Sequence, residues 1–177
     1  MLNELVISNK WLGDYTLPIG KLNVILGENG VGKSTFLTYI AEKMDAKENY
    51  YRHSTPPTSA VDTIPLEIER IMNLPHKTIL WDLPENGLHS IMIKKLPETL
   101  LGLIDNGIQV FITTNSLFLC RELELALQYS KFKTMWFSLS VEKDKESIVF
   151  GSSIDDVEFT ILDEEHKQNT RYLNSNL

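Results

Sequence analysis

The chain has 177 residues, 42% of them hydrophobic and 23% charged, with a formal net charge of −7. That length and balance suit one folded domain with a core of its own. The charge excludes a global basic field for nucleic acid or anionic membrane, the single cysteine, Cys120, excludes an internal disulfide, and no apolar run has the length of a membrane span.

The first residues, Met1 to Glu4, lack the basic start and apolar stretch of a secretory signal, so a cytoplasmic location is expected. Leu5-Val6-Ile7 and Tyr15 to Ile19 read as two short strands turning at Gly13-Asp14, an antiparallel element at the N-terminus. Lys21 to Leu26 is a short apolar, β-branched run that reads as a buried strand. Ser34 to Met44 has Phe36, Leu37, Ile40, Ala41 and Met44 at helical spacing.

Between that strand and that helix lies Gly27-Glu28-Asn29-Gly30-Val31-Gly32-Lys33-Ser34, which matches GxxxxGK[ST] at every fixed position. Glycines there permit backbone angles and close approaches that a side chain would block. The loop's N–H groups then converge on phosphate oxygens, with the positive end of the helix dipole behind them. Lys33 would reach the β- and γ-phosphates, and Ser34 would offer its hydroxyl to Mg²⁺. Residues Gly27 to Thr35 are therefore the candidate nucleotide-binding segment, with ATP and Mg²⁺ as the cofactors. GTP is disfavoured, because no N-K-x-D base-reading motif occurs.

Residues 47–63 are polar, contain Pro56-Pro57, and read as a loop or a shrunken insertion. Pro65 to Leu74 reads as a helix with proline in its first turn. Thr78-Ile79-Leu80-Trp81 is an apolar strand ending at Asp82, a pattern that places a carboxylate opposite the loop hydroxyl, where it can hold a metal's water shell. Ser90 to Asn106 is helical in pattern, Pro97 kinking it or starting a second helix and Gly107 ending it. Gln109 to Thr114 is another buried strand, and Ser116 caps a helix running to about Tyr129. Cys120 lies within that helix as a small hydrophobe. Thr134 to Val141 and Ile148 to Phe150 form a hairpin around Lys143-Asp144-Lys145. The polar tail, residues 163–177, is expected to be mobile. Lys94-Lys95 and the pair Lys131 and Lys133 are the only local basic clusters, and both read as solvated surface.

Strands alternating with helices predict an α/β fold of the P-loop NTPase kind: a mainly parallel central sheet flanked by helices, preceded by the antiparallel β element. Asp82 and Asn115 then sit at carboxyl ends of strands, where open α/β sheets bind ligands.

Asp82-Leu83-Pro84-Glu85-Asn86-Gly87-Leu88-His89 resembles the D-E-P-E-x-G-L-H segment of ABC-type ATPases in the RecF, SMC and OLD-nuclease branch. Thr113-Thr114-Asn115-Ser116 resembles that family's T-T-H-S switch, and the P-loop and the strands before it are similar too. The resemblance implies one ABC/RecF-like ATP-binding domain over residues 1–177, with residues 47–63 in place of the family's arm. It implies catalytic roles for Lys33, Asp82, Glu85 and Asn115, metal binding by Ser34 and Asp82, and a homodimer or a heteromer with another ATPase or nuclease subunit, in DNA repair or defence. The chain departs from the family in three places. Leu83 stands where the water-polarising glutamate follows the aspartate, with Glu85 two positions on as a candidate for catalysis or for dimer contacts. Asn115 replaces the switch histidine. No S-G-G-Q-like signature precedes Asp82, Asp62 to Arg70 holding its place. Arg52 and His53 are the candidates on the adenine side.

Three readings follow. The first is an ATPase with weak or partner-dependent hydrolysis, since a partner's signature would have to complete the site. The second is a small P-loop kinase acting on a metabolite, which would need an arginine-rich lid; the chain has only Arg52, Arg70, Arg121 and Arg171. The third is a nucleotide sensor or pseudo-ATPase that binds without turnover.

Overall fold

The computed structural model describes residues 2–9, 13–44, 50–53, 78–142, 145–157 and 170–171. Within them a two-stranded ribbon lies beside a six-stranded sheet. The ribbon pairs β1 (Glu4–Asn9) antiparallel to β2 (Gly13–Pro18). Period-2 alternation turns Leu5, Ile7 and Leu17 into the core. Gly13, expected in the turn, instead opens β2, and the connection lies outside the described residues.

The large sheet contains β3 (Leu22–Leu26), β4 (Tyr50–His53), β5 (Thr78–Asp82), β6 (Gln109–Thr114), β7 (Thr134–Glu142) and β8 (Lys145–Gly151). Their spatial order is β4-β5-β6-β3-β7-β8. All neighbours run parallel except the β7–β8 hairpin. The expected α/β architecture is thus present, with the antiparallel element before it. One expectation fails: residues 47–63 do not form only a loop, because Tyr50–His53 pairs with Thr78–Trp81 as the edge strand. The predicted helix at Pro65 to Leu74 and most of the tail fall outside the described residues.

The helices are α1 (Lys33–Lys43), the single turn α2 (Ser90–Ile93), α3 (Leu96–Asp105) and α4 (Leu117–Leu127). Pro97 sits in the first turn of α3, so it starts a second helix rather than kinking one. Ser116 caps α4 by accepting from the Leu119 N–H at 3.2 Å.

Strand alternation sends side chains to two buried faces. Val24, Leu26, Ile79, Trp81, Val110, Ile112 and Trp136 pack under α3 and α4. Ile25, Leu80, Phe111 and Phe137 pack under α1 and the β1–β2 ribbon. Burial on both faces explains why β3, β5 and β6 read as continuous apolar runs rather than alternating ones.

Two amides fasten the amino-terminal edge of the sheet. Buried Asn23 accepts from the Gly20 N–H at 2.8 Å and donates to the carbonyls of Gly20 and Val110, each at 3.1 Å. Gln109 donates to the carbonyls of Leu2 and Gly20 at 2.7 and 2.8 Å. Asn23→Ala removes all three bonds and leaves the buried Gly20 N–H without its acceptor, at a cost of about 1–3 kcal/mol. A lower urea midpoint with an unchanged slope is the expected result; an unchanged midpoint would contradict the lock.

Candidate nucleotide-binding site

Strand register assembles the site. Leu26, the last residue of β3, pairs with Thr114 of β6 and Ser138 of β7, and Asp82 pairs with Thr113. The loop after β3, the end of β5 and the end of β6 therefore meet along one carboxyl edge, the edge that binds ligands in open α/β sheets.

The loop presses against β7. A Cβ on Gly27 would lie 2.6 Å from the Val31 side chain and 2.8 Å from the Leu139 carbonyl, so only glycine allows that approach. Gly32, with φ 97°, is the N-cap of α1, and the unpaired N–H groups of the first turn face the loop. Ser34 and Thr35 are exposed at that helix start. Lys33 folds inward: its Nζ donates to the carbonyls of Gly27 and Glu28, each at 2.8 Å, and the residue is 6% exposed. Burial pulls its ammonium below the ordinary lysine value, while the charges of Asp82 and Glu85 act in the opposite direction.

The two carboxylates are held by consecutive threonines of β6. Asp82 Oδ1 accepts from the Thr113 hydroxyl, and the Leu83 N–H donates to the same Thr113 oxygen at 2.9 Å. Leu83 has φ 49°, the left-handed region that a branched, non-glycine residue rarely enters. It also precedes Pro84, which restricts it further. This residue reverses the chain: the Asn86 N–H donates to the Leu83 carbonyl at 3.0 Å. Glu85 is thereby swung back against β6, where its Oε1 accepts from the Thr114 hydroxyl at 2.5 Å and the Asn115 N–H at 3.3 Å. Its other oxygen, Oε2, is buried and has no hydrogen-bond donor among the described residues. Burial pushes the Glu85 carboxyl above the ordinary carboxylate range, opposed by its hydrogen bonds with Thr114, its own backbone and Asn115, and by the Lys33 charge.

Asn115 Nδ2 donates to Asn29 Oδ1 at 2.6 Å, so the end of β6 is tied directly to the loop. The structure thus brings Lys33, Asp82, Glu85, Asn115 and the loop residues together. His89 stands apart: exposed, it accepts from the Ile91 N–H at 3.4 Å as the N-cap of α2. Arg52 and His53 fall on the edge strand β4, and Asp62 to Arg70 fall outside the described residues. The threonine clamps were missed at the sequence level. The Thr113-Thr114 pair was visible, but its targets follow only from the β5–β6 register.

The residues present fit a magnesium nucleotide. A buried lysine lies at the start of a helix, a hydroxyl residue follows it, and a buried carboxylate oxygen has no donor among the described residues. Among the described residues no group of three or more His, Cys, Asp or Glu could hold a metal by itself. Mg²⁺ is ordinarily held by one or two carboxylates together with substrate phosphates.

Sheet order, loop and helix define the P-loop NTPase fold. No protein-family model matches the chain, and no curated protein matches its sequence. Among solved structures the chain is similar to the flagellar accessory protein FlaH from Methanocaldococcus jannaschii, with 12% identity and a TM-score of 0.46 over 78% of this chain and 81% of that one. Among the described residues no helix is long and apolar enough to cross a membrane.

A carboxyl group with a raised folded-state pKa costs stability once it ionises. The cost is absent well below the ordinary value of 4.5, grows as pH rises from there to the raised folded-state value, and is complete above it. Glu85→Gln cannot ionise. The difference in melting temperature between variant and wild type should therefore shift in the variant's favour between pH 4 and pH 8. A difference independent of pH would show that Glu85 is not held in a charge-disfavouring site.

Proposed function

We propose that the chain is a Mg²⁺-dependent, ATP-binding ATPase of the ABC/RecF-like branch whose hydrolysis is weak alone and completed by a partner. The observation that carries this reading is the convergence of Lys33, Asp82 and Glu85, all buried, at the carboxyl edge beside the loop. Gly27 to Thr35 wrap the phosphates, and Lys33 moves from the loop carbonyls to the phosphate oxygens. Ser34 and Asp82 hold the metal, which when bound offsets phosphate charge. Glu85 takes the part of the glutamate that Leu83 replaces: Oε1 is fixed by Thr114 and Asn115, leaving Oε2 to accept a hydrogen bond from water. Its raised proton affinity moves it toward the range where a general base works near neutral pH. Asn115, tied to Asn29, senses the loop and can donate to the terminal phosphate.

Partner dependence has a charge argument. Transferring phosphate carries several negative charges and is stabilised by positive groups. Here the buried cation Lys33 is faced by Asp82 and Glu85. A second subunit supplying cationic or signature residues would correct that balance, as a homodimer or as a heteromer with another ATPase or nuclease. The resemblance sets such a complex in DNA repair or defence. With a net charge of −7, DNA contact is assigned to the partner.

The test is equilibrium binding and turnover of Mg·ATP by the purified chain. Lys33→Ala removes a charged donor worth about 1.5–3 kcal/mol, so binding should weaken by roughly 10- to 100-fold. Glu85→Gln should retain ATP binding and lose the slow hydrolysis. Absence of ATP binding at millimolar nucleotide would overturn the reading. Turnover untouched by Glu85→Gln would remove Glu85 from it, and label transfer to a small acceptor would indicate a kinase instead.

A further inference from the structure

A cleft of about 310 Å³ opens at the amino edge of the sheet, opposite the phosphate loop. Register places it there. Thr134, the first residue of β7, pairs with Leu22, whereas Ser138 pairs with Leu26 beside the loop. The two edges thus lie about 13 Å apart along β7 at the rise of a strand. β8 stops short of β7 at this end, its last pair being Gly151 with Trp136. A Cβ on Gly151 would collide with the Asp156 side chain, so glycine lets the chain turn away there. The notch left beside the start of β7 is walled on its other side by Glu124 and Leu127, from the last turn of α4.

Leu127, Phe132, Trp136 and Ile154 line the cleft with apolar surface continuous with the core under α4. Thr134 lines it too. That residue is 8% exposed, and its hydroxyl oxygen is buried with no hydrogen-bond partner among the described residues. A buried hydroxyl left unpaired is a cost that a ligand can remove. Charge narrows the class of ligand. Among the described residues the walls carry one acid, Glu124, and one base, Lys133, so an ion of either sign meets repulsion as well as attraction. Consecutive N–H groups at a turn can cradle an anion. Here those of Ser152 and Ser153 both donate to Asp156 Oδ2 at 2.8 Å, so that capacity is already used. We propose that this cleft binds an uncharged, mainly apolar small molecule, about one ring in size, whose hydroxyl or amide pairs with Thr134. The volume sits at the lower end of the range of about 300–1,000 Å³ typical of small-molecule sites, which are mostly apolar with a few polar groups that fix orientation. Phe132 and Leu127 supply the contact area, and the Thr134 hydroxyl sets the orientation. The site is separate from the phosphate edge and stands whether or not nucleotide binds there.

Benzyl alcohol, toluene, benzoate and benzylamine share one ring and differ in its polar group. Titrated into the isotope-labelled chain, benzyl alcohol should bind most tightly and shift the Thr134 amide and Trp136 indole resonances. Thr134→Val removes the hydroxyl and nearly keeps the shape. It should weaken benzyl alcohol binding by roughly 2- to 10-fold, the scale of one neutral hydrogen bond, and leave toluene binding no weaker. The urea midpoint of that variant should be unchanged or raised, because no hydrogen bond of the fold is lost. A lowered midpoint with benzyl alcohol binding unchanged would show the hydroxyl satisfied within the chain and overturn the proposal. So would toluene, benzoate or benzylamine binding as tightly as benzyl alcohol, or no shift at residues of the cleft with probe at tens of millimolar.

Discussion

The register of the parallel ladder is the constraint on which the rest of the molecule depends. Leu26 opposite Thr114 and Asp82 opposite Thr113 put three strand ends on one line. Strand side chains alternate, so a slip of one residue would exchange the two faces of a strand. Both faces are packed here, one under α3 and α4 and the other under α1 and the β1–β2 ribbon. A slip would therefore misplace apolar side chains on both sides at once. The same requirement that forms the core aligns Lys33, Asp82 and Glu85 at the edge.

At that edge the polar chemistry is paired hydroxyl to carboxylate. Thr113 serves Asp82 and Thr114 serves Glu85, consecutive residues of β6 reaching two acids on neighbouring chain. Bringing Glu85 within reach requires the left-handed backbone of Leu83, a conformation that costs a branched residue about 1–2 kcal/mol. Local strain of this kind persists where surrounding contacts over-determine it, and it clusters at functional sites. The hydrogen bond from the Leu83 N–H to Thr113 is such a contact. The site thus places a glutamate beside the loop even though the residue directly after Asp82 cannot accept a proton.

Much of this was legible in the sequence. The strand bounds at Gln109–Thr114, the P-loop between strand and helix, and an interruption of the helical pattern at Pro97 follow from apolar runs, glycine spacing and proline geometry, which are local signals. The edge strand Tyr50–His53 was not legible, because it lies within a polar stretch and, among the described residues, pairs on only one side. Nor was the inward turn of Glu85. Nothing in a Leu-Pro-Glu run marks leucine as left-handed, and the outcome depends on a threonine about thirty residues away. The notch between the start of β7 and the end of β8 is likewise a difference between two strand lengths, visible only once the strands are paired.

The central claim is that one edge of the sheet holds phosphate, metal and water-orienting carboxylate together. A crystal structure of the chain with Mg²⁺ and a non-hydrolysable ATP analogue tests it most directly. The account predicts Lys33 Nζ moved from the carbonyls of Gly27 and Glu28 onto phosphate oxygens, the metal between Ser34 and Asp82, and a water on Glu85 Oε2. A nucleotide bound elsewhere, or Lys33 still on those two carbonyls beside a bound nucleotide, would contradict it.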